Sequence, residues 1–251
     1  MTCIKLFAGL GNQLFQYSYG LYLQEKGEHV KYIIQENSSS IYKVFNIENT
    51  QLIYSKHRIL LQGTKLFFKL IGANYCTGFY QERKYCDTGI NILRESFKKL
   101  DQYIKSLEYQ IIANTNSVAI HIRGGDYLEK DTLKEYGSIC TKEYYLRAIN
   151  AIKKPQFKTM KFFIFTNDIP YAKSLLDNHI PNHAIINNPT FSNDPGFDLF
   201  LMSKCKFHII SNSTFAWWGA SLASSLGKIG PSRWTNTYNG SELFDESWIR
   251  I

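Results

Sequence analysis

Ser117-Val118-Ala119-Ile120-His121-Ile122-Arg123-Gly124-Gly125-Asp126-Tyr127 sets an apolar run against a polar, glycine-bearing loop. The run from Ser117 to Ile120 reads as a buried strand, and the polar residues beyond it read as the loop at that strand's carboxyl end. Ligands of open α/β sheets bind at such ends, so His121, Arg123 and Asp126 stand where a charged small molecule would be held. His121 and Arg123 are two residues apart and share one face. Two readings stay open for each: Arg123 grips an anion or pairs on the surface with Asp126, and His121 serves a ligand or is a satisfied polar residue of the strand.

Outward from this segment, strand and helix signals alternate. A helix is expected over Thr141 to Lys153, a strand over Met160 to Phe165, a helix near Tyr171 to Leu176 and a short strand over His183 to Ile186. Asp198 to Ser203 reads as a short amphipathic helix that leaves Asp198 pointing out of the sheet edge. Phe207 to Ile210 comes next as a strand, Ser211 to Thr214 as a polar turn, and Phe215 to Leu226 as a helix closed by Gly227. At the other end, Thr2 to Phe7 has strand character, Ala8 to Gly11 is a turn, and Asn12 caps a helix running to Lys26. His29 to Ile34 is a second strand, and the pattern weakens from Gln35 to Leu70. Helical spacing returns between Ile90 and Ile112 and stops at Asn114-Thr115-Asn116, where the domain boundary is placed. Alternating strands and helices predict an α/β fold with parallel sheets, divided into residues 1–115 and 116–251.

The 251 residues carry a net charge of +8, which favours anionic partners. Lysines and arginines are scattered, as in Lys98-Lys99 and Lys153-Lys154, so no nucleic-acid partner is expected. Five cysteines without a CxxC spacing argue against a zinc site or disulfide framework and for a reduced cytoplasm. No apolar run reaches membrane-spanning length, and Thr2 to Ala8 is too short for a signal segment.

Gly9-Leu10-Gly11-Asn12-Gln13-Leu14 lacks the third glycine of a dinucleotide fingerprint, and Leu14 fills the point of close helix packing. A structural turn remains, as does a turn whose Asn12 side chain and backbone N–H groups, Gly11 included, meet a substrate oxygen. In Ser211-Asn212-Ser213-Thr214 more hydroxyls and amides crowd a helix start than capping needs, which points to a diphosphate. Asp-x-Asp, GxSxG, GxxxxGK[ST] and HExxH are all missing from the sequence, so metal-clamped transfer, hydrolase, phosphoryl-transfer and zincin chemistry are not expected.

Taken together, Gly9 to Tyr17, His121 to Tyr127 and Ser211 to Trp218 resemble the bacterial α-1,2-fucosyltransferases of glycosyltransferase family 11, with Phe165-Thr166-Asn167-Asp168 similar to a fourth family motif. The resemblance implies a GT-B fold of two Rossmann-like lobes, the donor site in their cleft and the acceptor side in the first lobe. It implies a GDP-β-L-fucose donor, no metal or other cofactor, and inversion to an α-1,2-fucoside. Arg123 would hold the β-phosphate, His121 and Asp198 the guanosine, and Ser213, Thr214 and nearby amides the phosphates, with Gly11, Asp168 and Phe215 as further donor contacts. Asn12 would meet the reacting centre, and Asp126 is the carboxylate nearest to act as base. The acceptor would be an oligosaccharide or glycolipid ending in galactose, of the kind found in surface polysaccharide, and the enzyme cytoplasmic or peripheral at the inner membrane face. A fucosyltransferase of another linkage such as α-1,6, or a nucleotide-sugar binding protein without turnover, are the alternatives. Where the family usually writes two successive arginines, this chain has Gly124 second. That removes a cation near the donor and leaves open weaker GDP binding, a contact supplied from elsewhere, or lost activity.

Overall fold

A computed structural model of the chain describes residues 1–35, 41–47, 52–55, 68–70, 72–152, 159–176, 179–180 and 182–251. Most of the weakly patterned stretch from Gln35 to Leu70, and Lys153-Lys154, lie outside the described residues. The chain forms two compact units, Met1–Lys98 and Lys99–Ile251.

The first unit holds β1 (Thr2–Lys5), α1 (Leu10–Glu25), β2 (Val30–Gln35), α2 (Ile41–Val44), β3 (Leu52–Ser55), β4 (Asn74–Cys76) and α3 (Asp87–Arg94). Its four strands are parallel in the order β3-β2-β1-β4. The order reverses between β1 and β4, where a parallel sheet opens a crevice beyond its carboxyl ends.

The second unit contains α4 (Leu100–Tyr103), α5 (Leu107–Ala113), β5 (Asn116–Ile122), α6 (Lys130–Tyr136), α7 (Lys142–Ile152), β6 (Met160–Thr166) and α8 (Ile169–Leu176). It continues through β7 (His183–Ile185), α9 (Pro195–Lys204), β8 (Phe207–Ile209), α10 (Thr214–Ser221), β9 (Gly227–Gly230) and β10 (Trp248–Arg250). Its sheet is parallel throughout, ordered β10-β9-β8-β5-β6-β7, which is the doubly wound dinucleotide-fold order. The switch point falls between β5 and β8. Both strands are buried along their length, as continuous apolar runs in a sheet covered on both faces require. No helix among the described residues is long and apolar enough to cross a membrane.

Several expectations need correction. The boundary lies after Lys98 and not after residue 115, because α4 and α5 pack on α9: the Tyr103 ring sits 5.5 Å from Phe197 and 5.4 Å from Phe200, and Tyr109 lies 5.5 Å from Phe200. The helical spacing from Ile90 to Ile112 is three short helices divided between the units. Helix α9 is buried almost all round and not amphipathic. Helix α10 ends at Ser221, and Gly227 opens strand β9. Gly9 is the N-cap residue of α1, so Asn12 falls inside the first turn and does not cap it.

Candidate active site

The switch point of the second sheet is built on His121 and Ser211. His121 is the penultimate residue of β5, buried like Ile122 after it, and its Nδ1 lies 2.8 Å from the Ser211 hydroxyl oxygen just beyond β8. The ring faces Phe215 at 5.9 Å. Burial first, and the Arg123 charge second, push the imidazole down to about 3, so it is neutral and one nitrogen must accept while the other donates. Two buried tyrosines of α7 hold the strand exits: Tyr145 donates to the His121 carbonyl at 3.0 Å and Tyr144 to the Ile210 carbonyl at 2.5 Å.

Arg123 is the first residue beyond β5. Its Nη2 is 2.8 Å from each oxygen of Asp126, and its guanidinium covers the Tyr127 ring at 5.3 Å. Its Nε is buried without a hydrogen-bond partner among the described residues. A partly exposed ion pair of this kind contributes at most about 1 kcal/mol, so an incoming dianion can displace Asp126 at little cost. Tyr127 in turn donates to the Asn212 carbonyl at 3.1 Å, which ties the loop after β5 to the turn after β8.

The two glycines after Arg123 are gripped by the loop after β6. The Gly124 N–H donates to Asn167 Oδ1 at 3.0 Å, Asn167 Nδ2 donates back to the Gly124 carbonyl at 3.3 Å, and the Gly125 N–H donates to Asp168 Oδ2 at 3.1 Å. The other oxygen of Asp168 accepts from the Tyr171 N–H at 3.0 Å at the start of α8. Asp168 therefore spends both oxygens on backbone and shapes the loop. Gly125 has φ of +57°, a conformation that side chains other than glycine resist. A Cβ on Gly124 would lie 2.6 Å from the Asp168 Cβ and 3.0 Å from the Tyr171 ring, so no second arginine fits this backbone.

Beyond β8 the polar turn divides its labour. Asn212 is buried and donates to the carbonyls of Tyr136 and Trp234, each at 3.1 Å. Ser213 precedes α10 and Thr214 begins it; neither side chain makes a hydrogen bond among the described residues. The first N–H groups of a helix have no partner within it, so this end offers donors and a positive dipole end. The helix is buried over Ala216 to Ser221, and Trp217 is fixed by a 2.8 Å bond from its indole to the Leu243 carbonyl.

Asp198 stands on α9 and accepts no hydrogen bond among the described residues. Burial first, and the neighbouring Asp194 second, raise its carboxyl to about 7. Asp194 is well partnered: it accepts from Lys99 at 2.7 Å, from Tyr103 at 2.9 Å and from the Gly196 N–H at 3.0 Å as N-cap of α9. Among the described residues no hydrogen bond or ring contact joins Asp198 to His121 or Arg123. Gly11 and Asn12 belong to the first unit, where Asn12 Oδ1 accepts from Gln81 at 2.9 Å. The exits of β5, β6 and β8 thus gather His121, Arg123, Asp126, Asp168, Ser213, Thr214 and Phe215 in one unit. Sequence reading gave no role to Asn167, Tyr127, Tyr144 or Tyr145, although Tyr127 and Asn167 lie inside the quoted motifs; the adjacent tyrosines were the signal for the other two. Among the described residues no three His, Cys, Asp or Glu side chains converge.

The model of glycosyl transferase family 11 matches residues 53–250. The chain belongs to glycosyltransferase family 11. This family 11 chain is 31% identical to an α-1,2-colitosyltransferase from Escherichia coli over 286 aligned residues, covering 98% of it and 97% of that relative. It is 36% identical to the O-antigen biosynthesis glycosyltransferase WbnK of Escherichia coli over 143 residues, 56% of this chain and 46% of that one. Among solved structures, the fucosyltransferase NodZ from Bradyrhizobium superposes with a TM-score of 0.56 at 12% identity over 88% of this chain and 91% of its own. An α-1,6-fucosyltransferase NodZ structure co-crystallised with GDP gives the same TM-score at 13% identity, over 88% of this chain and 92% of that one. These structural likenesses establish the GT-B type of α/β fold. The family 11 chain is a glycosyltransferase.

Proposed function

We propose that the enzyme transfers L-fucose from GDP-β-L-fucose to a galactoside hydroxyl with inversion, forming an α-1,2 linkage, and does so without a metal. The observation that carries this reading is Arg123, with its unpartnered Nε, set at a switch point beside the uncapped start of α10. In a single displacement the acceptor oxygen bonds to the anomeric carbon as the bond to the β-phosphate oxygen breaks, and negative charge grows on GDP. Arg123, the Ser213 and Thr214 hydroxyls and the first N–H groups of α10 are suited to hold that charge in a partly buried setting. His121 and Asp198 take the guanosine, Phe215 adds an aromatic face beside His121, and Asp168 serves the donor indirectly through the loop it shapes. Of the first unit's residues, Gly11 is assigned to the donor and Asn12 to the reacting centre. Asp126 receives the acceptor's proton once the diphosphate has displaced it from Arg123.

A second reading is favoured by the colitosyltransferase likeness over 98% of the chain. Colitose is L-fucose without its 3-hydroxyl, so the same diphosphate site serves GDP-colitose, and the two donors differ at one oxygen of the sugar. We place the enzyme in the cytoplasm, peripheral to the inner membrane, acting on an O-antigen-type oligosaccharide or glycolipid ending in galactose. The test is GDP release from GDP-fucose and from GDP-colitose, with EDTA present, with and without β-galactosides. Release stimulated by acceptor supports the reading and chooses the donor; no release from either donor with any acceptor sinks it, and dependence on added metal overturns the metal-free mechanism.

A further inference from the structure

The first sheet has its own switch point, between β1 and β4, and the loops that leave these two strands are held against each other. Strain marks both loops: Ala8, after β1, has φ of +64°, and Tyr80, after β4, has φ of +52°, although neither is glycine. Such backbone costs energy and persists only where the surroundings enforce it, and it clusters at ligand sites. Here α1 enforces it. The Gln13 side chain donates to the Ala8 carbonyl at 2.8 Å, and buried Gln16 accepts from the Phe7 N–H at 2.9 Å and donates to the Gly78 carbonyl at 3.3 Å. Tyr80 is clamped by stacking on Tyr19 at 3.9 Å.

What these loops present is a ring and amides. Phe79 is 46% exposed, the one exposed phenylalanine among the described residues, and is braced by Phe7 at 5.1 Å and 38°. Beside it Gln81 donates to Asn12 Oδ1, and the Asn12 Nδ2 makes no hydrogen bond among the described residues. The first turn of α1 holds no acidic residue. An exposed apolar ring face near an amide N–H that makes no hydrogen bond among the described residues suits a neutral ligand with an apolar face and a hydroxylated edge, which is the chemistry of a hexopyranose.

We propose that Phe79, braced by Phe7, is the platform on which the acceptor's terminal hexopyranose lies, with the Asn12 amide, oriented by the bond its Oδ1 accepts from Gln81, binding its hydroxyls. The choice of a galactose-type ring rests on the acceptor class proposed above: the axial 4-hydroxyl of galactose leaves one ring face as a continuous C–H patch that covers a phenyl ring. Donor and acceptor then use switch points of different sheets.

Saturation-transfer-difference NMR with methyl β-D-galactopyranoside tests this on the purified full chain, with GDP binding measured in parallel by calorimetry. The wild-type protein is expected to saturate the protons of the C–H face. Phe79→Ala and Phe79→Leu should each weaken galactoside binding about tenfold, the equivalent of about 1.4 kcal/mol, while Phe79→Trp retains it and GDP affinity holds in all three. Leucine keeps the packing on Phe7 without the ring, so a folding defect cannot mimic the result. Wild-type binding in Phe79→Leu, or no galactoside signal in the wild-type protein, overturns the proposal. Galactoside binding that depends on Phe79 in a protein that does not bind GDP upholds the platform while sinking the donor reading.

Discussion

Replacing Gly124 by arginine restores the residue that the family usually carries there, and the structure says that this should harm the enzyme. The first atom added already collides, 2.6 Å from the Asp168 Cβ and 3.0 Å from both Asp168 Oδ2 and the Tyr171 ring. Overpacking of this kind costs about 1–3 kcal/mol. Moving the loop away instead breaks the reciprocal Gly124–Asn167 pair and the charge-assisted Gly125–Asp168 bond, at about 1 kcal/mol for each neutral bond and about 1.5–3 kcal/mol for the charged one. The cheaper route sets the loss at about 2 kcal/mol, or about 4–8 °C in Tm for a chain of this size. Gly124→Ala should show most of that fall, since the Cβ alone causes it. Arg123 begins the displaced loop, so GDP affinity by calorimetry should drop about tenfold in Gly124→Arg despite the added cation. Tighter GDP binding at an unchanged Tm would refute the argument and mean that the glycine is a lost cation.

Arg123→Ala should weaken GDP binding by about 10–100-fold, the equivalent of about 1.5–3 kcal/mol for a charged contact, and abolish GDP release from donor, while Tm stays near wild type because the Asp126 pair is worth little. Near-normal turnover would remove Arg123 from the site. His121 and His208, held down to about 3 and about 4 chiefly by burial, stay neutral in the folded state while the unfolded chain takes up protons near its usual value of about 6.5. Their stability contribution is full above pH 6.5 and is lost as pH falls toward those folded values. Asp198 acts oppositely: raised to about 7, it stabilises at low pH and loses that contribution as pH rises from about 4 through 7. Asp198→Asn should therefore be more stable than wild type at about pH 8 and should steepen the acid loss in urea melts; an unchanged pH profile would contradict the buried-carboxyl assignment. Asp194→Ala removes the α9 cap together with bonds from Lys99 and Tyr103, for a loss of about 2–4 kcal/mol in denaturant. An NMR titration should also find the Asp198 carboxyl lowered in that variant.

The fold class was legible because β5, β6 and β8 are mostly apolar segments that lead into polar loops, a pattern that a doubly covered parallel sheet favours in its sequence. Strands β9 and β10 were not legible. They are three or four residues long, and Gly227-Lys228-Ile229-Gly230 carries a single large apolar side chain; its place in the sheet comes from pairing with β8. The boundary was misplaced because local spacing cannot tell which body an amphipathic helix packs against; the Tyr103 contacts with α9 decide it, across about 90 residues of chain. In the site, the Arg123 and His121 positions could be read from the strand exit. The work of Asp168 could not, since a carboxylate that binds phosphate partners and one that caps a helix while holding a glycine loop look alike in sequence.

The ladder between β5 and β8 runs only from Val118–Phe207 to Ile120–Ile209. One residue later the two chains have parted, and the carbonyls of His121 and Ile210 are met by the phenols of Tyr145 and Tyr144. The mouth of the crevice is therefore propped by side chains of a helix and is not fixed by strand pairing. Helix α7, which meets neither ligand in our reading, becomes an adjusting screw for the gap. Resizing Tyr144 or Tyr145 would retune how wide the two strands open while leaving every residue that touches the nucleotide in place.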